Sequence, residues 1–255
     1  MYVYYCDEDF ESMMTCIYDV WDAKRGSENV RLSVGLPSQP DLFSEYIFVS
    51  RDDEKAGKVI RSIRSKISYE ASRQIYLAAM TREEDRLDVI YRFLRIGFTY
   101  GAQTVKMLSL APVMRIMELS RKAGNEMHFY RELVRFSRME PGVYVSHIEP
   151  ECNITALTAE HFADRMPSEH WMIIDDNRGL AAVHPKDEHF YVTQLSGKEL
   201  DRLKETEKQR DPVTQLWKEF FNTIGINERK NPRCQRNMFP VHYRKHVTEF
   251  MKNES

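Results

Sequence analysis

The apolar residues of this chain change their spacing once, and that change limits the possible folds more than any other feature. From Ser68 to Met139 they recur mainly at helical steps. Leu87, Ile90, Leu94 and Phe98 share one face, and Val113, Ile116, Met117, Met127, Tyr130 and Val134 follow behind Pro112. Such a stripe is what an amphipathic helix turns toward a core. Pro112 suits a first helical turn, where its missing N–H has no partner to lose. Gly124 interrupts the run at a cost of about 1 kcal/mol relative to alanine, which predicts a kink or close packing there. After the turn signal "MEPG" the texture becomes short and β-rich: "VYVSHI", "WMIID", "LAAVH" and "FYVTQL". "DDNRG" reads as the hairpin loop between the second and third of these runs, and "AEHFADRM" as a short helix among them. Helices and hairpin-linked strands in this order predict an α+β fold, a small antiparallel sheet with a large helical layer.

Toward the N-terminus, "YVYY" reads as a strand, and Asp7 or Asp9 as the cap of a helix striped by Phe10, Met13, Met14, Ile17, Val20 and Trp21. "RGSENVRLSVGLPSQP" reads as a loop from its Gly, Ser and Pro content. "EYIFV" reads as a second strand. Asp52 or Asp53 then caps a helix burying Ala56, Val59, Ile60, Ile63 and Ile67. Helical patterns return from Gly197 to Ile224, and "PVHYRKHVTEFM" predicts a final helix with Pro240 in its first turn. Strands on both sides of Pro141 can share one sheet, so the expectation is one domain over 1–255 with a sub-boundary possible near 140.

At 42% apolar residues the chain can bury a substantial core. No apolar run approaches the roughly 18–20 residues that span a bilayer, and "MYVYYCDEDF" lacks the basic start and apolar stretch of a signal peptide. The expectation is a soluble, cytoplasmic protein with no membrane partner. Cys6, Cys16, Cys152 and Cys234 form no C-x-x-C pair, so they read as reduced, buried or incidental thiols and no cofactor is expected.

The net charge of −2 conceals alternating blocks. Residues 1–60 carry −6, 61–138 carry +7, 139–228 carry −8 and 229–252 carry +6. A basic face attracts phosphates even on a molecule that is neutral overall. The last block stands out because no acid lies between Arg229 and Thr248. Its Arg229, Lys230, Arg233, Arg236, Arg244 and Lys245 are candidate phosphate contacts, Asn231 and Gln235 candidate readers of base edges, and Tyr243 a candidate stacking ring. The competing reading is a structural clamp at the end of the chain.

Two further clusters carry chemistry. His242 and His246 would share one face of a final helix, a spacing that suits a metal pair, but Arg244 and Lys245 oppose a cation, so no metal site is expected. "EHFADRMPSEHWMIIDDNRG" gathers His161, Asp164, Arg165, His170, Asp175, Asp176 and Arg178. A histidine and a carboxylate in one cleft do general acid–base work, so His161, Arg165 and Asp175 are the catalytic candidates. The plainer reading gives these residues to ion pairs and a solvated turn. No P-loop, G-x-G-x-x-G, G-x-S-x-G or H-E-x-x-H is present.

"NPRCQRNMFPVHYRKHVTEF", "HFADRMPSEHWMIIDDNRG", "LVRFSRMEPGVYVSHIEP" and "YYCDEDFESMMTCIYDVWDAKR" together resemble a bacterial family of unknown function associated with DNA metabolism. Its members are typically encoded beside a radical SAM protein similar to spore photoproduct lyase, and some are fused to a uracil-DNA-glycosylase-like domain. The family usually has an apolar residue where Cys234 stands and often a tryptophan where Arg244 stands. The resemblance implies a DNA metabolism or repair accessory protein whose partners are nucleic acid, DNA first, and a radical SAM protein. Radical SAM chemistry needs three closely spaced thiolates to hold a cluster. This chain lacks them, so that chemistry would be the partner's. The alternative is a stand-alone nucleic-acid-processing enzyme, hydrolase- or glycosylase-like, that uses the His161–Arg178 cluster.

Overall fold

The computed structural model describes all residues except 38, 40, 140, 141, 199–232, 234–238, 248, 249 and 251–255. The chain is α+β and divides into two compact units, Met1–Asn125 and Glu126–Ser255. The helical pattern expected over Gly197 to Ile224 lies almost wholly outside the described residues.

The first unit is built on three parallel strands. β1 (Tyr2–Cys6) lies between β2 (Val30–Val34) and β3 (Glu45–Phe48). Parallel neighbours cannot be joined by a tight turn, and α1 (Phe10–Ala23) makes the crossover from β1 to β2. Asp9 caps α1 by accepting the Ser12 N–H at 2.9 Å. Met13, Met14, Ile17 and Val20 of the α1 stripe are buried. Asp52 caps α2 (Asp53–Lys66), accepting from the backbone of Glu54 and Lys55 at 3.0 Å each. Thr15 ties the two helices, since its hydroxyl donates to Asp52 O at 3.0 Å and accepts the Asp52 N–H at 3.1 Å.

β2 corrects the loop expected over "RGSENVRLSVGLPSQP". Val30 and Leu32 alternate into the core, Ser33 lies within the strand, and the Gly and Pro residues flank it in sequence. α3 (Tyr69–Ala79) and α4 (Arg86–Tyr100) follow. At Gly97 an added Cβ would lie 2.5 Å from Ile67 Cδ1, so a larger residue where α4 meets the end of α2 would have to turn the buried Ile67 side chain aside. Gly124 shows no such closeness. Its nearest neighbour to an added Cβ is Leu77 Cδ1 at 3.9 Å, and α5 (Ala111–Leu133) passes through it unbroken.

The second unit holds a five-stranded sheet in sequence order: β4 (Ser137–Met139), β5 (Val143–Ile148), β6 (Trp171–Asp175), β7 (Leu180–His184) and β8 (Tyr191–Gln194). The four expected strand segments all form, and β4 adds a fifth from the end of the stretch read as helical. The sheet is mixed, not antiparallel throughout. β5 and β6 run parallel because α6 (Thr155–Arg165) carries the chain back between them, while the other pairs are antiparallel. β6 is nearly buried from end to end, as a strand covered on both faces must be. Gly179, at φ 63°, closes the β6–β7 turn with its N–H on Asp175 O at 2.8 Å.

The final helix is also corrected. Val241–Arg244 form a single 3₁₀ turn after Pro240. Cys6, Cys16 and Cys152 are buried. Among the described residues no helix is long and apolar enough to cross a membrane.

Candidate functional site

The register of β5 against β6 decides where the polar side chains of the second unit meet. Ile148 pairs with Asp175, so the next residues, Glu149 and Asp176, leave the sheet side by side at the carboxyl ends of two parallel strands. The Asp176 N–H continues the ladder to Ile148 O at 3.0 Å. His147 stands two residues before Glu149 and so faces the same side. Its Nδ1 lies 3.1 and 3.0 Å from the two Asp176 carboxylate oxygens.

The fourth member comes from the C-terminal segment. Tyr243 stacks on Phe129 with centroids 5.3 Å apart and meets Tyr130 edge-on at 5.4 Å. The Arg244 guanidinium donates to Phe239 O at 2.8 and 3.1 Å and lies over the Phe250 ring, and Val247 is buried. Held this way, the His246 ring stacks on His147 at 5.9 Å. Its Nε2 lies 3.3 Å from Glu149 Oε1 and 3.8 Å from Asp176 Oδ2. That nitrogen is buried and lacks an aligned hydrogen-bond partner among the described residues. The Lys245 ammonium contacts the same Glu149 oxygen from the solvent side.

Burial shapes the protonation of the site. It pushes the Tyr243 phenol up to about 12, with Glu126 adding to the effect, and raises Tyr130 in the same way. It lowers His246, against the opposing pull of Glu149, and so favours the neutral imidazole. For Glu149, burial acts upward, but the neighbouring Lys245 and His246 together outweigh it and hold the carboxyl below its usual range. Two carboxylates facing two imidazoles can exchange protons or hold a cation.

The structure places the sequence candidates differently. Asp175, expected to be catalytic, is fully buried as the hub of the β6–β7 turn. It accepts Thr155 Oγ1 at 3.0 Å, Arg178 Nη1 at 3.0 Å and the backbone N–H groups of Asn177 and Arg178 at 3.0 and 3.2 Å. Thr155 begins α6 and Arg165 ends it, roughly 15 Å further along the axis; Arg165 is exposed. His161 is half-buried on α6, edge-on to Phe162 at 5.1 Å. Asp175 and Arg165 therefore do not meet at one centre, and it is the neighbouring Asp176 that joins a histidine. Of the basic block, Tyr243, Arg244 and Lys245 have the partners just described, and Arg233 is exposed. Arg229, Lys230, Asn231, Gln235 and Arg236 lie outside the described residues, as does the side chain of His242. The sequence did offer a signal for these residues, because Glu149 directly follows the strand run "VYVSHI" and Asp176 the run "WMIID".

The first unit carries two hollows that share Trp21 and Phe98. One, of about 270 Å³, adds Tyr18, Lys58 and Lys66; the other, of about 600 Å³, adds Arg92, Arg95 and Tyr100.

A sequence model of the DUF4130 domain-of-unknown-function family matches residues 84–249, more than half of the chain, and the protein belongs to that family. The match includes His147, Glu149, Asp176 and His246. No curated protein and no solved structure matches the chain.

Proposed function

We propose that the protein is an accessory factor of DNA metabolism or repair that binds nucleic acid and works with a radical SAM partner. The observation that carries this reading is the acid-free basic run from Arg229 to Lys245, whose far end is held on the second unit by Tyr243, Arg244 and Val247. A run of cations without acids attracts phosphate through its charge alone. The aromatic and basic hollows around Trp21 and Phe98 add a surface of the kind on which bases stack. The test is a salt titration of binding to single- and double-stranded DNA. Replacing Arg233 and Arg236 together by alanine should flatten the slope of log K against log salt by about two units. An unchanged slope, or no binding by the intact chain at low salt, overturns the proposal. Co-purification with the radical SAM protein, with and without DNA, tests the partner.

A second reading is a stand-alone nucleic-acid-processing enzyme. The contact of His147 with Asp176, beside His246 and Glu149, favours it. The site would then use Asp176 of the His161–Arg178 segment, with Asp175 as its support.

A further inference from the structure

We propose that Glu149, Asp176 and His246 bind one divalent transition-metal ion at the carboxyl ends of β5 and β6. Each offers one ligand atom, and the three atoms lie within 4.8 Å of one another. Two ligands about 2.1 Å from a tetrahedral ion stand roughly 3.4 Å apart. The His246 Nε2 separations of 3.3 Å to Glu149 and 3.8 Å to Asp176 bracket that distance, and the two carboxylate oxygens lie within 4.8 Å of each other, so the ion would be seated by turning side chains that already face one another.

The surroundings match what a metal site requires. His246 Nε2 is buried and makes no aligned hydrogen bond among the described residues, so an ion bound there would displace none. Asp176 is oriented from outside by His147 Nδ1 at 3.0 Å, the arrangement in which an outer hydrogen bond fixes a ligating carboxylate. The Lys245 ammonium now meets Glu149 Oε1 and would have to withdraw. Its side chain is 62% exposed, so it can do so into solvent. One imidazole nitrogen with two carboxylates suits zinc or manganese better than calcium or magnesium, which prefer oxygen alone. Three protein ligands leave a coordination position for solvent or substrate. The inference goes beyond the nucleic-acid reading and stands whether or not the basic run binds DNA.

The full chain, stripped with a chelator, is titrated calorimetrically with Zn²⁺ and with Mn²⁺. We expect saturable binding of about one ion, tighter for zinc by the usual affinity order. Asp176→Asn, Glu149→Gln and His246→Ala should each weaken it by about tenfold or more, and His147→Ala should weaken it by roughly tenfold with stoichiometry kept. Asp176→Asn preserves shape, and circular dichroism checks the fold of each variant. The visible spectrum of added Co²⁺ reads coordination directly and should change in Asp176→Asn. Absence of saturable binding overturns the proposal. So does binding with an unchanged Co²⁺ spectrum in Asp176→Asn, which would place the ion elsewhere.

Discussion

Each unit holds a cluster of acids and bases around two or more carboxylates, and these two clusters differ in what neutralises the acids. In the first unit Arg115 forks onto Asp85 at 2.9 and 3.1 Å and also reaches Glu118 at 3.3 Å and Glu83 at 3.2 Å. Lys122 completes the pairing of Glu83 at 2.9 Å. Lys122 holds the Glu83 carboxyl below its usual range, and Asp85 raises Arg115. In the second unit Glu149 and Asp176 face two imidazoles and one exposed ammonium. A guanidinium offers only donors and keeps its proton, so a carboxylate paired with it stays ionised and has no partner with which to exchange a proton. An imidazole carries a proton or a lone pair according to its surroundings. The first cluster therefore reads as a brace and the second as a site.

The largest expected effect tests where that line falls within two adjacent residues. Asp175 belongs with the braces although it touches the site's strand end. Asp175→Ala removes the acceptor of four hydrogen bonds and leaves Arg178 facing a hole. The expected loss is about 3–5 kcal/mol, the range for breaking a buried pair. Asp176→Asn, half-buried and isosteric, should cost no more than about 1 kcal/mol in the absence of metal. Urea unfolding of both variants measures the difference. Equal losses would erase the distinction between brace and site.

A smaller effect belongs to the first unit. Arg115→Ala should cost about 1 kcal/mol, because the network is partly exposed and water already screens it. The gap between variant and parent should shrink in 1 M salt, where the screening length falls to about 3 Å. A gap that persists in high salt would assign the effect to packing of the arginine stem instead.

Local chemistry was legible in the sequence, and pairing was not. Asp9 and Asp52 cap as their positions before apolar stripes suggest, and "VYVSHI", "WMIID", "LAAVH" and "FYVTQL" are strands. Strand direction depends on what lies between strands, and α1 and α6 are crossovers whose partners are distant in sequence. β2 was hidden because its alternating "VRLSV" is short and its flanks carry the loop signals. The site was only half legible for the same reason. Strand ends placed Glu149 and Asp176, but His246 arrives from the C-terminal segment, whose Lys245 is 96 residues from Glu149. A helical reading of "PVHYRKH" turned His246 toward His242. The single 3₁₀ turn and the docking of Tyr243 turn it toward His147 instead.

The smallest change in stability comes from the residue that both proposals share. Lys245 was expected to contact phosphate, and the fold sets it on Glu149. Its side chain is largely exposed, so Lys245→Ala should shift stability by less than about 0.5 kcal/mol. Its effects on binding should be larger and should point in opposite directions. Removing a cation that competes for Glu149 should tighten zinc binding severalfold, whereas removing a phosphate contact should lower the DNA salt slope by about one unit. A tighter metal site with an unchanged slope would make Lys245 a guard of the carboxylates. A reduced slope with unchanged metal affinity would make it part of the basic run. If both change, a single side chain moves between Glu149 and phosphate, and metal and DNA binding should each favour the other, since either releases the lysine from one of its two partners.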